Sequence, residues 1–236
     1  MNDKILDCSD LDKYLGKPIA PARMKEALHN NDFRRWVQAM HYANLLHYDH
    51  DFAAAGRYGR LVAPQSFAVA TDDGHGAGPA CVGFIPDSHL IFGGDEWWFY
   101  GPRIFGGDQI TNEKIPFDYA VKETSFAGPT CFQRGDNNYY NQHGDYIARQ
   151  RSTSIRYRRD LAVEMGALDA TEDPQWTAEE LKELEIKKYE FIKMMHELGH
   201  GKRYWDDVAV GAELPVRAMG PHSIASFATE WRAYLF

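Results

Sequence analysis

The chain has 236 residues, of which 44% are hydrophobic and 14% aromatic, and this composition supports a packed core and excludes wholesale disorder. Thirty-four acidic and 26 basic residues give a formal charge of -8. That balance argues against a general nucleic-acid binder, which needs clustered lysine and arginine to neutralise phosphates.

The location of the protein follows from its cysteines and its apolar runs. Cys8, Cys81 and Cys131 are widely spaced and odd in number, so neither a disulfide framework nor a cysteine-based zinc site is indicated. No apolar run approaches the length of a membrane span, and the N-terminus lacks a signal-peptide core. We therefore predict a cytoplasmic protein with neither a membrane nor a nucleic-acid partner.

The N-terminal part of the chain predicts a mixture of helix and loop. A helix is predicted over residues 32–44, with Asp32 as its N-cap and apolar residues at helical spacing. A short alanine-rich helix over residues 49–59 follows and is ended by glycine. The stretch LVAPQSFAVA at residues 61–70 predicts a buried helix opened by Pro64, whose missing N–H costs nothing in a first turn.

From about His89 to Arg158, aromatic and β-branched residues alternate with polar ones, and glycine, asparagine and aspartate interrupt them. This pattern predicts an antiparallel sheet, with a hairpin turn at residues 141–144. The basic run from Arg149 to Arg159 alternates along the last predicted strand. A solvated sheet face explains that run better than phosphate binding does.

A long helix and a final segment complete the chain. Thr177 and Glu180 form a capping box before a helical pattern that extends to about Leu198. One face of this helix predicts a buried stripe made of Leu181, Leu184, Phe191, Ile192, Met195 and Leu198. Residues 203–215 then predict a strand-like entry, and the sequence from residue 220 predicts the start of a helix.

The sequence HELGH at residues 196–200 matches H-E-x-x-H, in which two histidines on one helix hold zinc. On the helical wheel, however, both histidines fall on the solvent-exposed flank beside the predicted stripe. Glycines on both sides of His200 predict the end of the helix there. A convincing third ligand is also missing, since residues 201–206 contain no further histidine and Glu213 farther downstream is a weak match. We favour a helix terminus and keep a zinc hydrolase as an alternative.

Residues 34–70 resemble the N-terminal half of the MaoC-like hydratase/dehydratase family. The family pattern is a helix ending in Gly-Asp-x-Asn-Pro-Leu-His-x-Asp, then an alanine-rich turn, a glycine and a buried helix. The matching positions are Asn44, Leu46, His47, Asp49, Ala53 and Gly59, followed by Ala63 and Pro64. The similarity extends through the predicted strands to cover roughly residues 11–158, and the alternative is a generic α+β domain with an accidental match.

The resemblance implies an α+β hot-dog fold, in which an antiparallel sheet wraps around a central helix. Residues 1–158 would form this N-terminal hot-dog domain, and residues 159–205 would be an inter-unit linker with a long helix at 177–199. Residues 206–236 are similar to the opening of a second, incomplete hot-dog unit. HELGH would then lie in the inter-unit helix, where the family has no metal.

The resemblance also implies the candidate site. In the family, an aspartate and a histidine deprotonate a water that adds to a trans-2-enoyl thioester, and helix N–H groups stabilise the enolate oxygen. His47 occupies the histidine position, Asn44 the supporting position, and Tyr42 the aspartate position. A tyrosine with a pKa of about 10 cannot replace a carboxylate base at neutral pH. Around the central helix, the candidate substrate-binding residues are Ala63, Pro64, Gln65 and Phe67.

Pro64 falls where the family has a glycine whose N–H faces the thioester oxygen, and proline has no N–H. We therefore expect a hydro-lyase chain that is mostly the substrate-binding half and needs a catalytic hot-dog partner, in a homo-oligomer or hetero-oligomer, without a cofactor. A non-catalytic acyl-CoA-binding or scaffold subunit is the alternative. CoA and acyl-carrier protein both stay open as carriers. Phe67, Val69, Trp97, Trp98 and Phe99 either line an acyl tunnel or pack in the core.

Overall fold

The computed structural model describes residues 6–73, 75–169 and 172–233. The start of the predicted unit 1–158, residues 1–5, and the end of the predicted segment 206–236, residues 234–236, lie outside the described residues. A 5-stranded antiparallel sheet in the order β1-β3-β4-β5-β2 forms the body of the chain. Its strands are β1 Ile19–Arg23, β2 Ser88–Phe99, β3 Thr111–Thr124, β4 Gly128–Tyr140 and β5 Tyr146–Arg158. The predicted sheet and its hairpin turn between β4 and β5 are confirmed.

Strand β1 was not predicted from the pattern of the N-terminal region. It pairs antiparallel with β3, with Ile19 opposite Lys114 and Arg23 opposite Thr111, and an irregularity interrupts the register between them. Pro21 lies inside the strand. Because proline cannot donate a ladder hydrogen bond, such a strand is tolerated only at a sheet edge, and β1 lies at one edge.

The helices are α1 Asn30–Ala39, α2 His50–Ala55, α3 Arg159–Glu164, α4 Ala178–Gly199 and α5 Ile224–Trp231. The N-cap of α1 is His29, so the prediction of Asp32 was wrong. Asp32 instead closes a capping box, in which its carboxylate accepts the His29 N–H at 2.8 Å. The capping box of Thr177 and Glu180 at the start of α4 is confirmed.

The central helix is a 3-10 helix, Gln65–Thr71, with Pro64 as its N-cap. It is shorter and tighter than the helix predicted over residues 61–70. Its apolar residues pack against α1 and the inner face of the sheet in the main core. The Phe67 ring makes edge contacts with Phe33 at 5.1 Å and with Trp36 at 5.9 Å between centroids.

A buried polar network holds the chain where the central helix ends. Asp72 is fully buried, and its carboxylate accepts hydrogen bonds from the Gly76 N–H at 2.6 Å and from Asn112 Nδ2 at 2.6 Å. Lys114 Nζ lies 2.8 Å from the same carboxylate. These bonds satisfy a buried charge that would otherwise be costly. They turn the chain into the loop before β2 instead of letting the helix continue.

Most of the predicted stripe on α4 is not buried. Phe191 is the one buried member of the six, and Leu181 and Ile192 are 40% and 41% exposed. Helix α4 contacts the turn at residues 45–47, and much of its apolar face stays uncovered. The helical period correctly identifies the apolar face, but burial depends on what lies against it.

The segment before α5 also differs from expectation. Within residues 203–215 the structure has a 3-10 turn, Trp205–Asp207, and no strand. A strand needs a neighbour for its backbone groups, and no sheet strand pairs with this segment. The predicted start of a helix is confirmed by α5, which Ser223 caps. None of the helices described is long and apolar enough to cross a membrane.

The basic run of β5 is divided between the two faces of the sheet. On the outer face, Arg149 stacks over Trp98 at 4.1 Å, and Arg151 pairs with Asp136 at 2.6 Å. Arg156 points the other way, is buried, and donates to Gln133 Oε1 at 3.2 Å. The prediction of a solvated face for the whole basic run was therefore wrong for Arg156, whose guanidinium lies among polar groups of the inner face.

Candidate active site

A cavity of about 550 Å³ lies between the end of α1, the turn at residues 45–47 and the N-terminus of the central 3-10 helix. Side chains from distant parts of the sequence meet around it. Six of the seven candidate site residues line this cavity: Tyr42, Asn44, His47, Ala63, Pro64 and Gln65. The structure therefore places the two predicted groups, one from the His47 motif and one from the central helix, on a single cavity.

Asn44 positions His47 by capping the short 3-10 turn Leu45–His47. Its side-chain oxygen accepts the Leu46 N–H at 3.0 Å, and its main-chain carbonyl accepts the His47 N–H at 3.1 Å. The Asn44 amide nitrogen also donates to the Tyr42 hydroxyl at 3.3 Å. Asparagine suits this position because a short side-chain acceptor stabilises the first turn of a helix.

His47 is 6% exposed, and its Nδ1 lies 2.6 Å from the Val62 carbonyl oxygen. Because a carbonyl can only accept, Nδ1 bears the proton and Nε2 keeps the lone pair. Burial lowers the pKa of His47, the bond to Val62 opposes that change, and the positive charge of Arg103 lowers it further. The imidazole is therefore a neutral base at pH 7.

A titration of His47 followed by NMR should show a midpoint below 6.5, the ordinary value for histidine. The signal is assigned by its loss in His47→Gln. Because the pKa of His47 is lower in the folded state, the folded state binds fewer protons than the unfolded state below pH 6.5. The full contribution of neutral His47 to the free energy of unfolding is therefore present above that pH. It is lost as the pH falls through the lowered pKa. A midpoint at or above 6.5 would contradict the buried environment described above.

Tyr42, which the resemblance predicts at a carboxylate position, lies beside His47. Its ring centroid lies 5.7 Å from that of His47, with the rings inclined at 36°. No aspartate or glutamate is among the described residues that line the cavity. The cavity thus has a histidine able to accept a proton and no carboxylate to share that task.

Two arginines at the cavity were not predicted. Arg103 comes from the connection between β2 and β3, and Arg217 comes from the segment after α4. The Arg217 guanidinium donates to the Met40 carbonyl oxygen at 3.0 Å, which attaches that segment to the end of α1. Single arginines far apart in sequence form no motif, so no sequence signal identified them.

Phe67 does not line the cavity. Its side chain is 0% exposed and belongs to the core beneath the cavity wall. Among the other apolar candidates, Phe99 lines the cavity and Val69 packs in the core. Trp97 stacks on Tyr139 at 5.9 Å, and Trp98 lies under an arginine on the outer face of the sheet. Core packing therefore accounts for most of this set.

The histidines of HELGH have other contacts. His196 Nε2 lies 2.8 Å from the Tyr48 hydroxyl, so this ring is half-buried and not on an exposed flank. His200 is exposed, forms the C-cap of α4 and makes an edge contact with the Phe52 ring at 5.6 Å. In the part of the chain that the structure describes, no group of three or more metal-binding side chains comes together.

The five-stranded antiparallel sheet packs against a short central helix, with the His47 cavity beside that helix, and this arrangement is an α+β hot-dog fold. Residues 14–150 match the family described as FAS1-like, dehydratase domain region. Because this match covers more than half of the chain, the chain belongs to that family. No curated protein sequence matches it.

One solved structure shares this fold and a second is less similar, both at low sequence identity. The ChsH1-ChsH2 complex from Mycobacterium tuberculosis matches with a TM-score of 0.50 and 16% identity, over 64% of this chain and 92% of that chain. The R-hydratase PhaJ1 from Pseudomonas aeruginosa has a TM-score of 0.45 and 15% identity, over 69% of this chain and 91% of that chain.

Proposed function

We propose that this chain is a hydro-lyase of the MaoC type that acts on a trans-2-enoyl thioester, and that it is mostly the substrate-binding half. The observation that supports this function best is the buried, neutral His47 held by Val62 in a cavity large enough for an acyl group. A neutral imidazole can accept a proton from a water that attacks the enoyl carbon, and it can return that proton in the reverse direction.

Two features limit catalysis by this half. Tyr42 supplies a phenol hydroxyl where a second, carboxylate base is needed. Pro64 caps the central helix and has no N–H to donate to the developing enolate oxygen. We therefore propose that an efficient reaction needs a second hot-dog unit that supplies the carboxylate and histidine pair.

Exposed apolar surface supports a partner. Strand β2 lies at one edge of the sheet, and Leu90, Ile91 and Phe92 on it are exposed. An exposed apolar edge strand tends to pair with another strand or to be covered. We propose that residues 6–158 form the hot-dog unit, that α4 belongs to the linker, and that the segment from residue 206 begins a second unit.

The cations at the cavity fit an anionic carrier. Arg103 and Arg217 both line the cavity, and guanidinium groups bind phosphate and carboxylate well. Both CoA and the prosthetic group of acyl-carrier protein contain phosphate, so this chemistry suits either thioester. We propose an acyl thioester of one of these two carriers as the substrate.

The direct test combines binding and turnover on the full chain. Butanoyl-CoA, which cannot be hydrated, should bind in a calorimetric titration, and His47→Trp should weaken binding by filling the cavity. Hydration of trans-2-butenoyl-CoA, followed by loss of the enoyl-thioester absorbance, should stay near the uncatalysed rate. His200→Trp, a change at an exposed histidine outside the cavity, is the matched control.

Two outcomes would contradict this proposal. Absence of butanoyl-CoA binding would remove the acyl thioester as the ligand. Rapid hydration by the chain alone, abolished by His47→Ala, would show that Tyr42 and Pro64 do not limit the reaction. A non-catalytic acyl-CoA-binding module is the second candidate, and it is favoured because none of the described residues that line the cavity is a carboxylate.

A further inference from the structure

A second cavity, of about 390 Å³, lies on the other side of Tyr42. It is formed between α1 and α4, and we call it the linker groove. Val37 and Tyr42 line both the linker groove and the His47 cavity. The segment after α4 also borders both cavities, since Arg217 lines the His47 cavity and Ala218 lines the linker groove. The two cavities are therefore adjacent and meet at Val37 and Tyr42.

The walls of the linker groove are mainly apolar. Val37, Ala43, Phe191, Ile192 and Ala218 supply hydrocarbon surface, and no carboxylate is among its described lining residues. This lining suits an uncharged hydrocarbon, because apolar surface gains about 25 cal/mol for each Å² removed from water.

The charged groups at the linker groove are engaged with protein partners. Arg34 donates to Gln38 Oε1 at 3.4 Å, and the Lys188 ammonium donates to the Gly220 carbonyl oxygen. Both interactions draw the cations towards protein acceptors. The His47 cavity is lined by two guanidinium groups, those of Arg103 and Arg217, and Arg217 also donates to the Met40 carbonyl oxygen. An amphiphilic ligand with a polar head at the His47 cavity and a hydrocarbon tail in the linker groove would match both surfaces.

We infer that the linker groove binds the distal part of a long acyl chain whose thioester lies beside His47. This inference rests on the proposed function and adds a preference for chain length. A short acyl group ends within the His47 cavity, whereas a longer one passes Tyr42 and reaches Phe191 and Ile192. The linker helix α4 then takes part in substrate selection, which gives a use to its partly exposed apolar face.

The test uses two saturated ligands, butanoyl-CoA and dodecanoyl-CoA, and calorimetric titration of the full chain. Each methylene that becomes buried should improve affinity by about fourfold. The chain should therefore prefer dodecanoyl-CoA by on the order of tenfold or more. Ile192→Trp, which fills the linker groove, should remove most of that preference and leave butanoyl-CoA binding close to that of the wild type.

Ile186→Trp is the matched control. Ile186 lies on the same helix, is 48% exposed and lines neither cavity, so its replacement should keep the preference for the longer ligand. Equal affinity of the wild-type chain for both ligands would overturn the inference and leave the proposed function intact. Failure of both ligands to bind would overturn the two together. A dimer that Ile192→Trp dissociates, without any preference for chain length, would identify the groove as a protein interface and overturn the inference.

Discussion

Replacing Phe67 by alanine should lower the free energy of unfolding by about 3–5 kcal/mol. The Phe67 side chain is 0% exposed and makes edge contacts with two aromatic rings of α1. Removing the ring leaves a cavity between the central 3-10 helix and α1, and both the buried apolar area and the ring contacts are lost. Urea unfolding, followed by circular dichroism, measures this difference.

Gln65→Ala is the control for that experiment. Gln65 is exposed, begins the same 3-10 helix and lines the His47 cavity, so its replacement should change stability by no more than about 0.5 kcal/mol. A loss of less than about 1 kcal/mol for Phe67→Ala would mean that Phe67 is not part of the core. The expected result separates Phe67 from Ala63, Pro64 and Gln65, which line the His47 cavity, although the sequence predicted all four as substrate-binding residues.

The pattern of the sequence predicts local structure where the periodicity and the cap residues agree. The alternation after His89 predicts the sheet because each strand exposes one face to the core and one to the outside. Thr177 and Glu180 predict the start of α4 because their bonds are made within one turn. Strand β1 was missed since it is short, contains proline and depends on a partner about 90 residues away.

The residues of the candidate site also fall into two groups, those that a local motif predicts and those that only long-range contacts bring to the cavity. Tyr42, Asn44 and His47 lie within six residues of one another, so a resemblance in one short motif identifies them together. Arg103 and Arg217 come from the connection between β2 and β3 and from the segment after α4, so only the tertiary fold brings them to the cavity. The buried stripe predicted on α4 was mostly wrong for the same reason. The periodicity of the helix defines an apolar face, but it does not specify the surface that covers this face. Long-range contacts are the information that single-sequence patterns lack.

Replacing Tyr42 by aspartate should raise the rate at which the chain hydrates trans-2-butenoyl-CoA by about 100-fold, a typical contribution of one positioned general base. The new carboxylate would lie beside the buried imidazole, where it stays ionised at neutral pH and can accept the proton of an attacking water. It would also raise the pKa of His47 by stabilising the imidazolium. The gain stays below that of a complete site because Pro64 still donates no N–H to the oxyanion.

Tyr42→Asn is the matched control, since it has nearly the same size as aspartate without the charge. Steady-state rates for both variants, measured by loss of the enoyl-thioester absorbance, should differ by most of the expected factor. Adding His47→Ala to Tyr42→Asp should return the rate to that of the wild type. If aspartate and asparagine give equal rates while butanoyl-CoA still binds, the missing carboxylate is not what limits the reaction. The non-catalytic binding module would then be the better account, because a cavity that binds the thioester but gains nothing from a base is not arranged around a reacting water.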